Sequence, residues 1–156
     1  MFSKCLLETN GYRIFFNLKS TDKPKADFVD SIIEFQLDPN LGEVLVRSVP
    51  AFIHFKDLQR LIKYFEKHIA ALKEDPNSES HTFITYNLGF QVQALSGRVL
   101  SESEGFFTIV FSVNVGQAYQ GAGSTYVGGE SVVSFASIRS FTSSLQAVLN
   151  ELEAAA

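Results

Sequence analysis

Apolar residues along this chain recur at two periods, and the switches between them lay out its elements. Leu58, Leu61, Ile62, Phe65, Ile69 and Leu72 recur at i, i+3, i+4, i+7, i+11 and i+14. At 100° per residue they share one face, which predicts a helix over about 56–72. Ile138, Phe141, Leu145, Val148, Leu149 and Leu152 form a second such face and predict a helix near 138–153. Ahead of each helix the period shortens to two. Tyr12, Ile14, Phe16 and Leu18 alternate with Arg13, Phe15, Asn17 and Lys19, and Ile33, Phe35 and Leu37 alternate with Glu34 and Gln36. Strands are expected at 3–9, 12–18, 27–37 and 43–48, then at 81–87, 90–95, 106–115 and 130–135. Asn10-Gly11 is the preferred pair for a type I′ hairpin turn, in which both central residues take positive φ. A charged loop with Pro24 follows at 19–26, and the run Asp38-Pro39-Asn40-Leu41-Gly42 is a turn.

The two halves carry one plan. With an offset of 78, Asn10 to Ile14 fall on Leu88 to Val92, and Phe28, Ile32, Ile33 and Phe35 fall on Phe106, Val110, Phe111 and Val113. The offset then steps to 87, pairing Gly42-Glu43 with Gly129-Glu130, Leu58 with Leu145 and Leu61 with Val148. A nine-residue insertion within 116–129 accounts for the step. The expected fold is α+β: a duplicated ββββα unit, repeats 1–78 and 79–156, making one pseudo-symmetric domain of two antiparallel sheets and two helices.

Composition narrows the classes. The 156 residues are 46% apolar and include 15 Phe and 5 Tyr, enough to build a core. A net charge of −4 gives no bulk attraction to nucleic acid or anionic lipid, so any such attraction must come from a local patch. Cys5 is the lone cysteine and sits in an apolar run, which reads as a buried structural thiol. No apolar run approaches the roughly 18 residues of a membrane span, and no signal peptide is visible. A cytoplasmic protein without membrane contact is expected. His54, His68 and His81 show no ligand spacing, and no catalytic arrangement has local context, so neither enzymatic activity nor a metal or other cofactor is expected.

A ββββα unit used twice resembles the Whirly fold at the level of topology. The run Gly105-Phe106-Phe107-Thr108-Ile109-Val110-Phe111-Ser112-Val113-Asn114 is similar to the Gly-aromatic-aromatic strand of Whirly proteins, which ends in Ser-Val-Asn. The family's Lys-Gly-Lys-Ala-Ala-Leu-Ser stretch, tied to assembly and DNA binding, has only Phe2-Ser3-Lys4-Cys5-Leu6-Leu7-Glu8 as its nearest counterpart, with Lys4 and Leu7 matching. The resemblance implies a module that binds single-stranded nucleic acid. The alternative is a protein-interaction or assembly module on the same fold.

Candidate contact residues follow from that expectation. Arg13 and Phe15 share a strand face, a cation beside an aromatic, which suits bases stacking on a ring and phosphates meeting a charge. An ordinary sheet surface would look the same. Arg47 and Arg98 lie in or beside strands. Tyr119 and Tyr126 lie in the glycine-rich stretch 116–129, where either ring would stack on a base or ligand if the loop is mobile. That stretch lacks the Gly-Lys-Ser/Thr ending of a nucleotide-binding loop. Lys56, Arg60, Lys63 and Lys67 form a one-sign stripe on the first helix, suited to a phosphate backbone, an acidic partner or plain solvation. The second helix presents Ser140, Thr142, Ser143, Ser144, Gln146, Ala147 and Asn150, an uncharged face suited to a homo-oligomer contact or to solvent.

Overall fold

The computed structural model describes residues 2–20, 27–48, 50–116 and 120–154. The first unit comprises β1 (Ser3–Glu8), β2 (Tyr12–Ser20), β3 (Phe28–Leu37), β4 (Leu45–Arg47), β5 (Ala51–His54) and α1 (Phe55–Glu74). The second comprises β6 (Phe83–Ile84), β7 (Phe90–Val99), β8 (Gly105–Asn114), β9 (Tyr126–Ser134) and α2 (Phe135–Ala154). The protein is α+β, with two antiparallel sheets and two helices in a duplicated strand–helix order. In the first sheet β1-β2-β3 are neighbours, and β4 and β5 both pair with β3. The second sheet runs β6-β7-β8-β9.

The fourth strand of the first unit differs from expectation. β4 and β5 lie end to end along one edge of β3, where β9 runs unbroken along β8. They are two pieces of one strand, interrupted around Pro50, which has no N–H for a ladder. The helices also correct the repeat. They start at Phe55 and Phe135, 80 positions apart, so Leu58, Leu61, Phe65 and Ile69 correspond to Ile138, Phe141, Leu145 and Leu149, all buried. The offset step is two residues, with no nine-residue insertion. An offset of 87 slips the match by seven residues, and a helical apolar face nearly repeats itself after two turns.

Local chemistry explains the boundaries. The His54 imidazole accepts the Lys56 N–H at 3.1 Å and caps α1, and Asp57 sits in its first turn. Ser134 does the same for α2 by accepting the Ser137 N–H at 3.1 Å, so that helix starts earlier than its apolar face suggested. The Asn10-Gly11 turn carries no positive φ. The Thr9 hydroxyl organises it instead, accepting the Tyr12 N–H at 3.0 Å and donating to the Tyr12 carbonyl at 2.8 Å. Space there is tight: a Cβ on Gly11 would lie 3.0 Å from the Ser131 hydroxyl of β9, which would have to shift to accept it.

The sheets pack with their inner faces together, and buried side chains of both units form one core. Phe16 of β2 meets Phe90, Phe111 and Phe141 edge-on at 5.2, 5.9 and 5.2 Å, joining the first sheet to the second and to α2. Burying one such ring stabilises by about 1.5–3 kcal/mol. Cys5 is buried in this core, where burial pushes its thiol pKa up, and Ser144 turns inward to it rather than outward. His68 pins α1 to the second unit. Its Nε2–H donates to the Leu95 carbonyl at 2.8 Å, which leaves Nδ1 to accept the Ser80 hydroxyl at 2.7 Å. With the inner positions committed to the core, alternate positions on every strand face outward. Among the described residues no helix is long and apolar enough to cross a membrane.

Candidate functional site

Strand alternation and register assemble the outer face of the first sheet. β1 contributes Lys4, Leu6 and Glu8, preceded by Phe2. β2 contributes Arg13, Phe15, Asn17 and Lys19. β3 contributes Phe28, Asp30, Ile32, Glu34 and Gln36. Leu45 and Arg47 of β4 and Phe52 and His54 of β5 complete it. Direct cross-strand pairs are Leu6 with Phe15, Phe15 with Glu34, and Glu34 with Arg47. The structure thus brings together Arg13, Phe15 and Arg47, three of the residues expected from sequence.

Their surroundings differ from a bare aromatic-cation pair. Arg13 lies 3.3 Å from Glu8, and Arg47 lies 2.7 Å from Glu34, so both guanidiniums have carboxylate partners. Phe15 is half-buried, with the Lys4 ammonium 4.8 Å above its ring. Lys19 stands over Phe2 at 5.4 Å. Phe28 packs edge-on to His54 at 5.0 Å and is 41% exposed, while Phe52 is 55% exposed. Four phenylalanines (Phe2, Phe15, Phe28, Phe52) are therefore interleaved with four cations (Lys4, Lys19, Arg13, Arg47). Glu8, Asp30 and Glu34 offset three of those charges, leaving the face slightly positive on a chain of net charge −4.

The other expected residues lie elsewhere. Arg98 is on β7, beyond a bulge between Ala94 and Gly97, and pairs with Phe106 on the outer face of the second sheet. Gly97 makes that bulge possible, because a Cβ there would collide with the Phe106 carbonyl. Around Arg98 the second sheet's outer face is nearly uncharged: Gln91, Gln93, Thr108, Val110 and Ser112, with Glu130 at its edge. Tyr126 is the first residue of β9 rather than part of a loop, and its hydroxyl donates to the Leu88 carbonyl at 3.0 Å. Tyr119 lies outside the described residues.

Sequence reasoning missed Phe2, Phe28 and Phe52, and it left Lys4 and Lys19 out of the contact set although Lys19 shares the strand face of Arg13 and Phe15. The alternation placing Ile33 and Phe35 inward also places Phe28 outward, so that one was readable. Phe52 was not, because the strand carrying it was not foreseen. Among the described residues no three His, Cys, Asp or Glu side chains converge as metal ligands. No protein-family model matches the chain, and no curated protein matches it significantly in sequence.

Proposed function

We propose that this protein is a non-enzymatic module that binds single-stranded nucleic acid on the outer face of its first sheet, in the manner implied by its topological resemblance to the Whirly fold. The observation that carries this reading is the interleaving of Phe2, Phe15, Phe28 and Phe52 with Lys4, Lys19, Arg13 and Arg47. Ring faces accept any base, and adjacent cations neutralise phosphates, so binding is sequence-tolerant and salt-sensitive. Fluorescence anisotropy with labelled single-stranded oligonucleotides at low salt tests it. Phe15→Ala combined with Lys4→Glu is expected to weaken binding by about tenfold or more, since stacking on one ring contributes about 1–3 kcal/mol per base. Absence of binding by the unaltered protein at about 100 µM, the weak limit of non-specific affinities, refutes the reading.

One observation favours the alternative, an assembly module. β9 is an edge strand, and the even-numbered residues Tyr126, Gly128, Glu130 and Val132 turn their backbone groups away from β8. The turn at Asn10 caps this edge at the Val132 carbonyl, at 2.9 Å. Among the described residues Tyr126 to Glu130 have no strand partner on this side, and Glu130 is the one charge on the segment, without Lys, Pro or a bulge. Pairing with a second copy about Gly128 would set Tyr126 against Glu130 with no like charges opposed. Sedimentation over a concentration series tests it: Glu130→Pro should abolish a dimer, and a monomer at all concentrations rules out this pairing.

A further inference from the structure

A second exposed aromatic stands next to the proposed face, on the turn joining β6 to β7. The Tyr86 side chain is 91% exposed, yet the backbone that carries it is hydrogen-bonded to its surroundings. The Tyr86 N–H donates to Asp57 Oδ2 at 2.9 Å, and Asn87 Nδ2 donates to the Phe52 carbonyl at 2.5 Å. The Leu88 N–H donates to the Thr85 carbonyl at 3.0 Å, and the Leu88 carbonyl accepts Asn114 Nδ2 and the Tyr126 hydroxyl, each at 3.0 Å. Leu88 is held at φ 57°, a left-handed conformation that costs a non-glycine residue about 1–2 kcal/mol. A strained, bonded turn that presents a bare ring is a display platform. The Asn87–Phe52 bond seats it against β5, whose Phe52 ring belongs to the outer face of the first sheet.

Helix α1 continues the same surface. Arg60 donates to Asp57 Oδ1 and to the Ile84 carbonyl, both at 2.8 Å, with its guanidinium 4.3 Å from the Phe83 ring centre. The segment from Phe83 to Tyr86 therefore lies alongside the first turns of α1. Lys56, Lys63 and Lys67 flank Arg60 on the exposed side of the helix, and none of the three forms an ion pair among the described residues. Lys56 to Lys67 spans about 16 Å of helix. Across the sheet, β5 to β1 spans about 14 Å at ordinary strand spacing.

We propose that Tyr86 and the Lys56–Arg60–Lys63–Lys67 stripe form a second segment of the nucleic-acid site. A strand leaving the sheet would pass from Phe52 to Tyr86 and run its phosphates along α1. Charge complementarity commits this surface to a polyanion, and the bare Tyr86 ring beside it favours one that carries bases. The inference rests on the reading of the sheet face given above, and oligonucleotide length separates the two.

The test is anisotropy with oligonucleotides of about 6 and about 15 nucleotides, within the range of single-domain site sizes. The triple variant Tyr86→Ala, Lys63→Glu, Lys67→Glu should bind the longer strand about tenfold or more weakly, with a shallower salt dependence, and change binding of the shorter one far less. Equal effects on both lengths, or none, overturn the second segment while leaving the sheet face intact. No binding of either length by the unaltered protein fails the sheet reading itself. Displacement of the longer strand by poly-glutamate at equal charge concentration would assign the stripe to an acidic protein segment and overturn the proposal. Circular dichroism of the triple variant checks that it is folded.

Discussion

Removing the two carboxylates that occupy the arginines of the sheet face should strengthen binding. Arg13 and Arg47 are paired with Glu8 and Glu34 at 3.3 and 2.7 Å, whereas Lys4 and Lys19 lie over aromatic rings with no carboxylate partner among the described residues. A short strand on this face would therefore be neutralised mainly by the two lysines. Each neutralised phosphate contributes about −0.7 to the slope of log K against log salt, giving roughly −1.4 for two. In Glu8→Gln, Glu34→Gln the freed arginines raise the number to four and the slope to roughly −2.8. Affinity at about 50 mM salt should rise by about tenfold or more. The Arg13–Glu8 pair is exposed and worth about 0–1 kcal/mol, whereas the Glu34 side chain is largely covered; glutamine keeps the shape of glutamate and a hydrogen-bond acceptor at both positions, so the fold should tolerate both changes. The assay is anisotropy with a strand of about six nucleotides over salt from about 50 to 200 mM. An unchanged slope, or weaker binding by the variant at low salt, would refute the electrostatic account of this face.

Three further outcomes concern the scaffold. Phe16→Ala should cost about 3–5 kcal/mol in chemical denaturation, because it empties the contact between both sheets and α2, and a loss under about 1.5 kcal/mol would contradict that role. Burial holds the pKa of His68 below its ordinary 6.5, so on acidification the unfolded chain takes up the proton first. Stability should accordingly fall as pH drops below 6.5, and His68→Gln should flatten the profile there; parallel profiles would remove His68 as the cause. Leu88→Gly relieves a left-handed residue and should raise stability by up to about 1 kcal/mol, whereas an equal loss would show that its side chain matters more than its strain.

Much of the fold was legible because period reports burial. The strand faces of Tyr12 to Leu18 and the helix faces of Leu58 to Leu72 and Ile138 to Leu152 needed only the rule that one side meets a core. The candidate site was legible in part. Arg13 and Phe15 share a strand, so their common face follows from spacing two apart. That Arg47 joins them depends on β4 pairing with β3, a contact between segments that no local pattern encodes.

The sequence alone determined the order of the elements apart from β5, their buried faces and the duplicated plan, since each depends on residues a few positions apart. It could not determine the register of the two helices, because an apolar face nearly matches itself after seven residues. Nor could it show that Asn10-Gly11 turns without positive φ, where the Thr9 hydroxyl bonds Tyr12 and the Asn10 N–H bonds the distant Val132 carbonyl. The partners of Arg13 and Arg47, the ammonium over Phe15 and the placing of Tyr86 beside Phe52 and α1 arise from contacts distant in the chain. Only tertiary structure, which sets the charge and exposure of each side chain by bringing such segments together, decided them.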